Sequence, residues 1–243
     1  MWSIIDFCII VLCLILLFSE TEETGEKIEG GFGDMMSKKG YIGNIWRPIL
    51  ALFVFIYYYS KITKISLYTI LCYYLIGVLG YYLWHVRAHQ KTSMMYKTHM
   101  KHHKEDYPID DFYGDKSKAN IKLFGNQNNP PTFLQLLNPT KSMSLHIEHD
   151  GWLYLIIICI LLFGKYIFKT NNYTLIYIFI GYIIIACVGS SLHISYHIRN
   201  FEFQKYAWYR ELRMLHYFHH SSNKNYTMVN ILIDIMFNTL IFN

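Results

Sequence analysis

At 243 residues the chain has room for one compact domain. Its residues are 53% hydrophobic and 16% charged, and the apolar ones come in long blocks, which argues against a soluble core and for a membrane protein. A net charge of +5 is too diffuse for a nucleic-acid partner and suits anionic headgroups or an acidic protein partner.

Residues 3–18 form the first apolar block. It has no basic start, carries Asp6 and ends without a small-x-small cleavage pattern. This reads as a retained N-terminal anchor helix over residues 1–18 rather than a cleaved leader. A Glu/Gly/Lys-rich stretch follows, and residues 19–47 read as a solvated linker. The block 48–59 is short for an upright span, whereas 66–84, 152–168 (with Lys165 near one end) and 173–192 each read as a span. The links 60–65 and 169–172 are short, which predicts two helical hairpins. Between them lies a long stretch with Pro108, Asp110-Asp111 and Pro130-Pro131, in which Phe133, Leu134, Leu136 and Leu137 suit a short apolar helix over a site. The block 229–242, interrupted by Asn230, Asp234 and Asn238, reads as an interfacial or site-capping helix.

Charge orients these spans. If residues 19–47, 85–151 and 193–243 share one side, that side holds 18 of the 22 Lys and Arg, leaving Lys61, Lys64, Lys165 and Lys169 opposite. The positive-inside rule places the richer side in the cytosol. Arg87, Arg210 and Arg213 read as flank charges on that side. Cys8, Cys13, Cys72, Cys159 and Cys187 all fall within apolar blocks and form no CxxC pair, so they read as buried small hydrophobes.

Ten of the twelve histidines fall in four clusters: His85/His89, His99/His102/His103, His193/His197 and His216/His219/His220. The order is HxxxH, HxxHH, HxxxH, HxxHH, all on the predicted cytosolic side. Positions i, i+3 and i+4 share a helix face, so each cluster projects two or three imidazoles together. A lone HxxxH is more often structural than metallic. Four in ordered alternation point to metal, with about five nitrogens for each of two ions and positions left open. Imidazole suits iron, copper, nickel or zinc; iron is favoured because an open dinuclear site in a membrane calls for redox work, and zinc is a plausible substitute. Asp234, Glu148, Asp150 and Asp106 are candidates to accept the second ring N–H of ligand histidines. His146 and His149 stand outside the alternation and read as a loop pair, a gate element or an outer partner of a ligand histidine.

The segment Tyr96-Lys97-Thr98-His99-Met100-Lys101-His102-His103 resembles the HxxHH region of the fatty acid hydroxylase/sterol desaturase superfamily. After the last triad, Asn225-Tyr226-Thr227 and Ile233-Asp234-Ile235-Met236-Phe237-Asn238-Thr239 match that family's Asn-Tyr-Gly and Trp-Asp-x-x-Phe-Gly-Thr stretches at Asn, Tyr, Asp, Phe and Thr. Thr227, Ile233 and Asn238 replace its usual Gly, Trp and Gly, and the first box has three intervening residues where fatty acid 2-hydroxylases often have four. The likeness covers about residues 48–242.

The resemblance implies an all-α integral membrane protein. It would have two transmembrane hairpins, a cytosolic helical cap holding a dinuclear site, and a catalytic domain over 48–243. It further implies two iron ions on the ten histidines, with Asn225, Tyr226 and Asp234 beside them. O2 would be the co-substrate, and the location the endoplasmic reticulum. The activity implied is hydroxylation of a lipid C–H bond, on a fatty acyl or sphingolipid chain or a sterol. One oxygen atom would leave as water, and two electrons would come from an external donor such as a b-type cytochrome with its reductase. A desaturase with the same site, and a non-catalytic metal-binding or metal-transport protein, are the alternatives.

Overall fold

The structure, a computed structural model, describes residues 3–19, 44–109, 112, 130–138, 154–227 and 230–241. Every regular element among the described residues is helical. Helix α1 is Ile4–Phe18, α2 Trp46–Thr63, α3 Leu67–Ala88 and α4 Tyr96–Lys101, the last running into a π-helical turn at His102–Asp106. The short α5 is Phe133–Leu137, followed by α6 at Tyr154–Tyr166 and α7 at Asn172–Tyr196. A 3-10 turn at Glu202–Lys205 leads into α8, Ala207–Ser221, and α9 is Leu232–Met236.

Local chemistry marks the helix ends. Ser3 and Asp6 form a reciprocal capping box at α1, Thr132 and Gln135 do so at α5, and the Asn171 side chain accepts from the Thr174 N–H at α7. Lys64, at φ 57°, turns the chain from α2 into α3, and Lys169, at φ 51°, turns it from α6 into α7. Those turns join α2 to α3 and α6 to α7 as expected, but α6, Tyr154–Tyr166, is shorter than the span expected over 152–168. Of the described helices, α3 and α7 are long and apolar enough to cross a membrane. Their outer faces carry exposed Leu75, Leu83, Ile176 and Ile184. Along most of its length α7 is apolar on all sides, the pattern of a span rather than a surface helix.

Tyrosines lock the hairpins together. Tyr73 Oη and Thr170 Oγ1 lie 2.6 Å apart, Tyr173 Oη donates to the Thr63 carbonyl at 3.0 Å, and Tyr59 Oη to the Tyr177 carbonyl at 2.5 Å. The Tyr182 hydroxyl reaches the Tyr73 carbonyl across Gly77, where any Cβ would overlap the phenol. Each bond gives a phenol a polar partner, a backbone carbonyl in three cases and the Thr170 hydroxyl in the fourth.

Helix α1 packs along α2 and runs antiparallel to it. At one end Lys61 pairs with Asp6 at 2.8 Å and Tyr58 Oη donates to the Asp6 carbonyl at 3.0 Å. At the other, Arg47 donates to the Leu16 carbonyl and Trp208 Nε1 to the Leu17 carbonyl at 2.8 Å. The anchor helix is thus a wall of the bundle.

Four expectations are corrected. The linker does not reach residue 47: Glu211 of α8 accepts from the backbone N–H of Asn44 and Ile45 and fixes the start of α2 at Trp46. Arg213 is a buried donor to the Ile198 carbonyl at 3.2 Å, not a flank charge. Cys8 and Cys159 are exposed on outward apolar faces. Among the described residues the block 229–242 yields only the five-residue α9, because Asn238, at φ 54°, turns the chain out of the helix and the Thr239 N–H closes on the Asp234 carbonyl at 2.8 Å.

Candidate metal centre

The C-terminal ends of α3 and α7 meet α4 and α8, and there the histidines converge. His85, His89, His99, His103 and His219 form one group, His102, His193, His197 and His216 a second, and within each the ligand nitrogens lie within 4.8 Å of one another. His220 adjoins the second group, its Nε2 3.1 Å from that of His216, and its ring stacks on His103 at 4.1 Å where the groups abut. All ten predicted histidines are therefore brought together.

The triads divide in a way the expectation of one stripe per cluster missed. His99 and His103 face the first group, but His102 faces the second. His216 and His220 face the second group, but His219 faces the first. At about 100° of turn per residue, i and i+4 nearly align while i+3 lies on the other flank. Each HxxHH helix thus stands between the groups and serves both. The extra residue of the π turn, closed by Tyr107 N–H on the His102 carbonyl at 2.9 Å, lies where α4 makes this division.

On five of the ten histidines the far ring nitrogen is held by an oxygen acceptor. His85 Nδ1 donates to the Tyr226 carbonyl at 2.5 Å, His197 to Phe112 at 2.7 Å, His219 to Lys224 at 2.7 Å and His220 to Tyr107 at 2.9 Å. His89 Nδ1 donates to the Asn223 amide oxygen at 3.0 Å. With the proton on Nδ1, each Nε2 presents a lone pair. Yet the Nε2 atoms of His89 and His219 face each other at 3.3 Å, and His99 Nε2 lies 2.9 Å from His89 and 3.2 Å from His85. Two lone pairs cannot bond one another; a cation between them resolves the opposition. Metal–imidazole bonds of about 2.0–2.1 Å place neighbouring donors about 2.9–3.4 Å apart at angles between 90° and tetrahedral. The observed spacings fall in that range. His103 Nε2 is also buried without a hydrogen-bond partner. Each group is chemically fit to hold a metal ion.

Asp234 does not act as predicted. Asp234, fully buried, accepts from the Tyr226 N–H at 2.9 Å, the Thr227 N–H at 2.8 Å and Thr239 Oγ1 at 2.6 Å, as well as from the Thr227 hydroxyl. It touches no histidine; it fastens the backbone whose Tyr226 carbonyl holds His85. Asn225, at φ 54°, sits between the two carbonyls used by His219 and His85, and its side chain is bound to Ile241 in both directions. The Tyr226 ring lies 5.3–5.7 Å from His85, His89 and His219. Asp106 is the last residue of the π turn. Glu148, Asp150, His146 and His149 lie outside the described residues. Tyr107, Phe112 and Lys224 were missed because they act through backbone carbonyls, which leave no mark in sequence; Asn223, which acts through its side-chain amide, was missed as well.

Burial holds His89 down to about 4 from an ordinary 6.5, against the opposing hydrogen bond from Asn223. Burial first, and neighbouring imidazoles second, keep His103, His216 and His220 well below that value, and burial and His89 do so for His219. The fold therefore favours neutral imidazole, while the unfolded chain takes up protons near pH 6.5. Between about 6.5 and 4 the unfolded state binds more protons, so stability is full above that window and falls as pH falls through it. Metal should be released over the same range. Metal per chain, measured after equilibration from neutral pH down to about 4, checks this; retention unchanged to the bottom of the window would contradict it.

A cavity of about 420 Å³ opens beside the second group. Its walls come from α1, α2, α3, α6 and α7, and Phe133, Phe203 and Trp208 also line it. No charged residue lines it, and His193 is its one histidine. The predicted short helix α5 thus contributes Phe133 to the cavity wall. No family model, no curated protein sequence and no solved structure matches the chain.

Proposed function

We propose that this chain is a membrane oxygenase that holds two iron ions on its ten clustered histidines and hydroxylates a C–H bond of a lipid acyl chain. One observation carries the reading: a histidine of a group fit for metal lines an uncharged cavity whose walls include both membrane-capable helices, α3 and α7. Metal transport would call for histidines along a path through the bundle, whereas these gather at one end of it. Iron held there supplies O2-dependent two-electron chemistry, which no side chain of the protein provides.

The protein's own residues do the rest. Backbone carbonyls fix the ring orientation and tautomer of His85, His197, His219 and His220, so the donors are in place before any ion arrives. The apolar walls admit a hydrocarbon and exclude water from the reacting carbon. Both electrons come from an outside donor, for which a membrane b-type cytochrome with its reductase is the candidate. By the charge count the histidine end faces the cytosol, as expected for an enzyme of the endoplasmic reticulum.

Lipid mass spectrometry on cells expressing the chain, against His219→Ala, tests this. Lipids gaining one oxygen atom in the wild type alone are expected. Loss of two hydrogens would make it a desaturase, and no difference between the two would refute lipid oxidation.

A further inference from the structure

Four glycines in the bundle helices face packed neighbours. A Cβ at Gly77 would strike the Tyr182 phenol, at Gly164 the Tyr73 hydroxyl, at Gly181 the Tyr59 ring at 3.1 Å, and at Gly80 it would touch Ile156 at 3.4 Å. Gly189 differs. It lies inside α7 with ordinary helical backbone, and a Cβ built on it meets nothing within 4 Å. Glycine is the poorest helix-interior residue after proline, so neither packing nor backbone explains its presence there. Its position does. Gly189 lines the cavity four residues before His193, one turn along the same face of α7, between Ile185 and that histidine. A side chain at 189 would project into the space beside the ligand histidine.

We infer that Gly189 is a specificity-determining residue: its missing side chain keeps open the part of the cavity through which a hydrocarbon chain lies against His193. The inference rests on the lipid-oxidising reading above and names the residue that sets the room for substrate. Because the walls carry no charge and are mostly apolar side chains from five helices, the occupant is an uncharged methylene segment rather than a headgroup.

The test uses the purified full-length chain with its metal, in detergent, and a radiolabelled sixteen-carbon saturated fatty acid as probe. Gly189→Leu should keep the wild-type melting temperature and metal content. It should bind the probe roughly tenfold or more weakly, since added methylenes must displace the ligand from a fixed space. Gly189→Ala should fold at least as stably as the wild type and bind the probe a few times more weakly, which covers the case in which the leucine variant fails to fold. A metal-loaded, folded Gly189→Leu, or failing that Gly189→Ala, that binds the probe as tightly as the wild type overturns the inference and leaves the lipid reading standing. A wild type that holds metal but retains no fatty acid overturns both.

Discussion

Alanine in place of His219 should abolish lipid oxidation and weaken metal binding roughly a hundredfold or more at the first group. Loss of an outer partner alone already costs about 10–100-fold. His219 is buried, its Nδ1 is held by the Lys224 carbonyl, and its ring lies 4.6–4.9 Å from those of His85, His89 and His103. It is the one ligand α8 sends to the first group, while His216 and His220 on the same helix serve the second. His102→Ala is the mirror experiment, since α4 sends only His102 to the second group. Each variant should lose metal chiefly from the group opposite its own triad partners. Metal titration of both variants, with binding resolved into two steps, checks the assignment. Loss of His219 that left the affinity of both steps unchanged would break it.

Replacing Asp234 with alanine should destabilise the protein by about 3–5 kcal/mol, among the larger effects of a single substitution. Its carboxylate satisfies two backbone N–H groups and two threonine hydroxyls in a site with no access to water. Alanine would leave these donors buried without an acceptor. The damage should also reach the metal, because the segment it frees carries the Tyr226 carbonyl that holds His85. Thermal unfolding and metal content would fall together. Asp234→Asn, which keeps one acceptor oxygen, should lose less of both. A wild-type melting temperature in the alanine variant would show that the 225–227 segment is held by other means.

Much of this arrangement was legible in the sequence. The long apolar blocks become α3 and α7, and the short links at Lys64 and Lys169 become hairpin turns, because hydrophobic runs and chain reversals are written locally. The ten histidines were legible through their spacing. Their division between two groups was legible too, since i+3 and i+4 lie about 100° apart around a helix, but a reading in terms of one shared face obscured it. Other features had no local signature. The acceptors for the ring nitrogens are backbone carbonyls of Tyr107, Phe112, Lys224 and Tyr226, and any residue type supplies a carbonyl. The family-like Asp234 pointed to the right neighbourhood and the wrong partner: it binds backbone and threonine, one step removed from His85. The hold of Glu211, far along the chain, on the Asn44 and Ile45 N–H groups is likewise a tertiary fact, placing the start of α2 where composition suggested a linker.

The central claim, two metal ions on ten imidazoles, is tested most directly by elemental analysis of the purified full-length chain against its own concentration. Two transition-metal ions per chain are expected, whichever metal fills the sites during expression. A reproducible value of zero or one would contradict the account.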